Sequence, residues 1–164
     1  PGAHDGALAF EGNDLPGVMS ARAALWMLAG GVMPGERVVV AAAPGGRGFG
    51  EAYAKAAPGV TLVRGTPVRA RGSARVKEAT VASRTEERRL PCDALVIDAP
   101  AAPAYELCAQ AGAQLVHEAR GFLVRAEGGR VRPGVFAVGE VSGTPFEPRA
   151  VQAEAQRVAS STDS

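Results

Sequence analysis

Several things are scarce in this sequence, and each scarcity closes a door. Aromatic residues are 5% of the chain, too few for a base-stacking platform on single-stranded nucleic acid. Lysine and arginine number 18 against 17 acidic residues, a formal net charge of +1. That balance gives no electrostatic reason to expect a nucleic-acid or membrane partner. The longest apolar stretch, Ala23–Met33, is about half of what a membrane helix needs. No secretory leader is visible, so a cytoplasmic location is the default expectation. Only two cysteines occur, Cys92 and Cys108. They form neither a C-x-x-C pair nor a metal-ligand spacing, and we expect two reduced core thiols. The two histidines, His4 and His117, belong to no Ser/His/Asp grouping and no metal set. His117 reads as a strand residue and His4 as a structural one. No catalytic residue can be nominated.

What is present is a soluble, globular composition, 46% hydrophobic in 164 residues. That length fits one domain, or one domain and part of another. Residues 1–19 are rich in glycine and proline and should form an extended loop. Ser20 can cap a helix running to about Ala29, with Ala21, Leu25, Leu28 and Val32 at the spacing of a buried face. Gly30-Gly31 stops it. Arg37–Ala43 is a β-branched run apolar on both faces, as in a central parallel strand. A glycine-rich turn follows at Pro44–Gly50, then a short helix at Glu51–Ala57 and a second strand at Val60–Val63. Strand, glycine turn, helix, strand is a βαβ unit.

Residues 66–92 alternate charged and apolar side chains around turns at Arg71-Gly-Ser and Arg84-Thr-Glu-Glu. They predict an antiparallel meander with one wet face. Asp93–Asp98 returns to a buried strand. A short helix at Tyr105–Gly112 follows, then strands at Gln114–His117, Phe122–Arg125 and Val135–Val138. A tight turn at Gly139-Glu140 precedes a closing helix near Ala150–Ala159, and the serine-rich end should fray. The expected fold class is α/β: a Rossmann-like parallel sheet with helices and an antiparallel β-meander, of the FAD/NAD(P)-binding type. The expected divisions are a junction loop and helix at 1–35, the NAD(P)-binding-like domain with its meander at 36–100, and a C-terminal segment of an FAD-binding domain at 101–164.

The order of these parts resembles the FAD-dependent pyridine nucleotide-disulfide oxidoreductase family. The branch it is most similar to contains sarcosine oxidase alpha subunits, hydrogen cyanide synthase and opine oxidase subunits. Gly2-Ala3-His4, followed by Leu8-Ala-Phe-Glu-Gly-Asn-Asp-Leu-Pro-Gly-Val-Met19, looks like that branch's T-G-A-H segment and its P-G-N-D-L-P-G-V continuation. Cys92-Asp-Ala-Leu-Val-Ile97 looks like the strand closing the inserted nicotinamide domain. Gly134-Val-Phe-Ala-Val-Gly-Glu-Val141 resembles the family's G-V-F-A-x-G-D-V, whose acidic residue contacts the ribityl–phosphate region of FAD. The resemblance implies an oxidoreductase acting on an amine or amino acid through flavin. FAD would be its cofactor, with NAD or NADP as a further ligand. It also implies an FAD-binding half preceding position 1, supplied in the same chain or by a partner subunit, without which this chain would be inactive. An oligomer is compatible with all of this.

The site residues that follow are Gly45, Gly46, Gly48, Gly50 and Arg64 for the dinucleotide, and Gly139 with Glu140 for the flavin. A Rossmann turn needs glycines for its tight turn, for approach to the pyrophosphate and for close helix packing. The best register, Gly45 to Gly50, puts Arg47 in the middle position, where a side chain would crowd the phosphates. The acid that normally holds the ribose hydroxyls is replaced by Arg64-Gly65. Two readings stay open: Arg64, with Arg69 or Arg71, pairs a 2′-phosphate, or the pocket is vestigial in a non-catalytic scaffold or interaction module.

Overall fold

The computed structural model describes residues 2–6 and 8–162. They form two units, one of residues 5–100, the other of the chain's start to His4 together with everything from Ala101 onward. After β1 (Ala3–His4), which belongs to the second unit, the first unit runs β2 (Val18–Ser20), α1 (Ala21–Ala29), β3 (Val38–Ala42), α2 (Phe49–Ala56), β4 (Thr61–Arg64), β5 (Thr66–Gly72), β6 (Val76–Ala82), β7 (Glu87–Pro91) and β8 (Ala94–Asp98).

Strands β2, β8, β3 and β4 lie in that order in one parallel sheet. Every residue of β3 and of β8 is buried, and alternation sends their side chains to two different cores. Val38, Val40, Ala94 and Val96 pack with Ala21, Ala24, Tyr53 and Ala57 of the helical layer. Val39, Ala41, Leu95 and Ile97 pack with Val76, Ala79, Val81 and Cys92 of the meander β5–β6–β7. A sheet apolar on both faces needs a layer on each side, and the unit has three layers for that reason. The corner joining α1 to β3 is held by Asp93, whose carboxylate accepts the N–H of Glu36 at 3.1 Å and of Arg37 at 2.9 Å.

The mixed α/β fold with its parallel sheet and meander is the one the sequence predicts. Details differ. Ser20 caps α1, its Oγ accepting the Ala23 N–H at 3.2 Å, but the buried face is Ala21 and Ala24. Leu25 and Leu28 are half-buried, and Val32 is 51% exposed. The helix ends at Gly30, whose N–H is taken by the carbonyls of Trp26 and Met27, so Val32 is no longer on a helix and its periodicity carries nothing.

The second unit adds β9 (Ala102–Pro103) beside β1, a short helix α3 (Glu106–Gln110) and the hairpin β10 (Gln114–Glu118) to β11 (Gly121–Arg125). A second small pair, β12 (Arg130–Arg132) with β13 (Val135–Phe136), follows. Val135–Val138 is therefore shorter as a strand than its sequence suggests. A 3-10 turn at Glu140–Ser142 leads to α4 (Pro148–Thr162), with a proline at its first position, where a missing N–H costs nothing. Of the serine-rich end expected to fray, Ser160–Thr162 continue α4, and residues 163 and 164 fall outside the described ones. Val124, Ala137 and Val141 form this unit's small core. Among the described residues, no helix is long and apolar enough to cross a membrane.

Candidate functional site

At the C-terminal ends of β3, β4 and β8 a cleft of about 1030 Å³ opens, large enough for a small-molecule ligand. One wall is the turn Ala43–Gly46 with Gly48, another is Arg64–Thr66, and a third is the β6–β7 turn at Ser83–Thr85. The expected residues Gly45, Gly46, Gly48 and Arg64 all line it; Gly50 does not. Gly139 and Glu140 belong to the other unit.

Each glycine of the turn has its own cause. Gly45 and Gly48 both hold φ of +79°, a left-handed backbone that costs other residues about 1–2 kcal/mol. Gly46 and Gly50 are set by close approach. A Cβ on Gly46 would stand 2.8 Å from the Asp98 carbonyl oxygen, and one on Gly50 would stand 3.0 Å from both Asp98 Cβ and Val40 Cγ1. Gly50 thus plays the third-glycine part, bringing α2 onto the sheet.

Asp98, which sequence reasoning passed over, is the residue these contacts converge on. It is 3% exposed. Its Oδ1 accepts the Arg47 N–H at 2.9 Å and its Oδ2 accepts the Gly50 N–H at 2.9 Å. A carboxylate at a helix N-terminus satisfies free donors and the positive end of the helix together. Here the helix is α2.

Arg47 does not crowd the cleft as its position in the turn predicts. Its side chain turns away, over the Phe49 ring at 5.5 Å, into a narrow space shared with Asp5, Ser20 and Asp98. Arg64 lies at the rim, largely exposed and 3.7 Å from Glu51. Arg69 is held by Glu11 through its Nε at 2.6 Å, and Arg71 stands opposite Glu78 across the meander. Neither lines the cleft. The arginine that joins Arg64 there is Arg84. Its sequence signal was its place in a turn, but which wall that turn forms depends on the packing of the meander.

In the second unit the Gly139–Glu140 turn is closed by another acid. Glu154 of α4 accepts the Gly139 N–H at 2.7 Å, the Ser142 hydroxyl at 2.8 Å and the Thr144 hydroxyl at 2.6 Å. Partial burial pushes this carboxyl up. The donors Thr144, Gly139 and Ser142, with the charge of Arg157, outweigh it and hold the pKa below the ordinary glutamate value. His4 pairs with Glu106 at 3.0 Å, and His117 packs edge-on to Phe122. Cys92 is buried and Cys108 half-buried, both as free thiols. Among the described residues, no cluster of His, Cys, Asp or Glu could hold a metal.

No protein-family model matches this sequence, and no curated protein does. Solved structures do match. An L-proline dehydrogenase from P. horikoshii aligns with a TM-score of 0.70 at 22% identity, over 85% of this chain and 28% of that one. A T. acidophilum thioredoxin reductase aligns at 0.65 and 17%, over 99% and 64%. A NAD-dependent persulfide reductase from A. fulgidus aligns at 0.65 and 18%, over 98% and 38%. The fold is of the FAD/NAD(P)-binding Rossmann-like type. The chain spans less than two thirds of the length of each of these three.

Within that fold a dinucleotide's pyrophosphate belongs at the amides of the glycine turn. Three amides of this turn are already engaged within the chain. The Arg47 and Gly50 amides are bonded to Asp98 and the Gly46 amide to the Ala43 carbonyl. In the second unit the Gly139 amide is bonded to Glu154. Gly139–Glu140 is also the one stretch that the resemblance assigns to FAD.

Proposed function

We propose that this chain is the pyridine-nucleotide-type domain, with an adjoining segment of the flavin domain, of an FAD-dependent oxidoreductase. The observation that carries the reading is the three-layer unit of residues 5–100, a parallel sheet with helices on one face and a meander on the other. A dehydrogenase and two reductases share the fold. In this reading FAD supplies the hydride chemistry when bound. The substrate is an amine or amino acid, and an FAD-binding half or a partner subunit completes the enzyme. The substrate class rests on the two end stretches, Gly2–Met19 and Gly134–Val141. The test is spectroscopic, on the protein purified from its native source. Flavin absorbance, bleached anaerobically by an amino acid or N-methyl amine, is the expected result. Protein that arrives without flavin and takes up none from added FAD would sink the proposal. Bound flavin that no amine reduces would remove the substrate class alone.

A second reading is a non-catalytic scaffold with a vestigial nucleotide pocket, and the Asp98 carboxylate on the glycine turn favours it for this domain. Calorimetric titration with NAD, NADP and ADP separates the two. Micromolar binding of any of them would reject the scaffold.

A further inference from the structure

We infer that Asp98 is the specificity-determining residue of the cleft: its carboxylate is the anion for which the glycine turn is shaped, and it excludes phosphate groups from that turn. The inference rests on the geometry of residues 40–50 and 98. It holds whether or not a flavin acts elsewhere.

Three observations converge. Two of the turn's donors that a pyrophosphate would use in this fold are already bonded, the Arg47 and Gly50 amides to the two Asp98 oxygens at 2.9 Å each. Gly46 and Gly50 need no ligand to explain them, because they are pressed by Asp98 itself: a Cβ would stand 2.8 Å from its carbonyl oxygen and 3.0 Å from its Cβ, respectively. Finally, Asp98 cannot swing aside cheaply. It ends β8, whose backbone is paired on both sides, to β2 and to β3, and it is 3% exposed. A phosphate reaching the same amides would therefore meet a fixed like charge that water screens poorly, on donors already spent. Discrimination by an unfavourable group is as effective as discrimination by a favourable one. Away from Asp98 the cleft is lined by Arg84 and by Arg64, the latter 3.7 Å from Glu51. An anionic ligand would have to bind from that end.

The test uses the whole chain, with ADP and inorganic pyrophosphate as probes. Amide resonances of Arg47 and Gly50 are followed by NMR, beside calorimetric titration. In the unsubstituted protein both amides should stay in place as either probe is added to about 1 mM. In Asp98→Asn, which keeps the size and one acceptor oxygen, and in Asp98→Gly, both should shift. Affinity for ADP should rise by about tenfold or more. If Asp98→Gly does not fold, Asp98→Asn decides. Micromolar ADP binding by the unsubstituted protein with both amides shifting overturns the inference. So does a folded Asp98→Asn whose amides and affinity do not respond. ADP binding that leaves both amides unmoved supports it.

Discussion

Gly48 and Gly50 look alike in the sequence and differ in the physics that requires them. Gly48 holds φ of +79° with open space where a Cβ would stand, while Gly50 has ordinary dihedrals and would press Val40 and Asp98 at 3.0 Å. Gly48→Ala should cost about 1–2 kcal/mol through the left-handed backbone, and Gly50→Ala about 1–3 kcal/mol through overpacking. Asparagine tells them apart: Gly48→Asn should recover most of the loss, since asparagine tolerates that region, and Gly50→Asn should deepen it. Urea unfolding of the four variants checks this, and equal responses at both positions would contradict it. The thiols differ as well. Burial, then the neighbouring Asp93 charge, pushes Cys92 up to about 11. Iodoacetamide at mild alkaline pH should therefore label Cys108 well before Cys92, as read by mass spectrometry. Which glycines form the turn was legible in the sequence; what they are for was not. The bonds of Asp98 span 48 and 51 residues. The sequence signal was there, an acid ending an otherwise apolar strand, but its partners are visible only once β8 lies beside β3.

At the scale of elements, hydrophobic pattern placed β3, α2, β4, the meander and β8 within a residue or two. Each is bounded by glycine, proline or charge and sits in a layer that selects one period. It failed at Val32, where the spacing continued past the end of α1, and at the end of the expected 1–19 loop, where Val18–Ser20 form β2 beside β8. The Ser20 cap gives a direct check on that helix. Its Oγ both accepts the Ala23 N–H and donates to Asp5 at 2.5 Å. Ser20→Ala should lower stability by about 1 kcal/mol in thermal or urea unfolding, and Ser20→Thr should retain most of it. A helix that needs no cap would show no difference.

For the molecule as a whole, acid is the informative variable. Burial alone would raise the Asp93 carboxyl, but the N–H groups of Arg37 and Glu36, with Arg75 nearby, lower it below the ordinary aspartate value. Glu154 is lowered by its own donors. One of these acids lies in each unit. A carboxyl lowered on folding adds stability that is fully present above its unfolded pKa, about 4, and is lost as pH falls through the lower folded value. The melting temperature should therefore hold from pH 7 to about 5 and fall below about 4. Asp93→Asn and Glu154→Gln should each lower the plateau and flatten that acid limb; an unchanged limb in both would contradict the assignment. The sheet order β2-β8-β3-β4 differs from the order of synthesis. The last strand of the sheet to leave the ribosome is the one that belongs at its middle. Until residue 98 is free, β2 has no neighbour and the inner edge of β3 is open. The nascent chain must therefore carry that apolar edge through synthesis of the entire meander, and the sheet is completed by an insertion rather than by growth from one end.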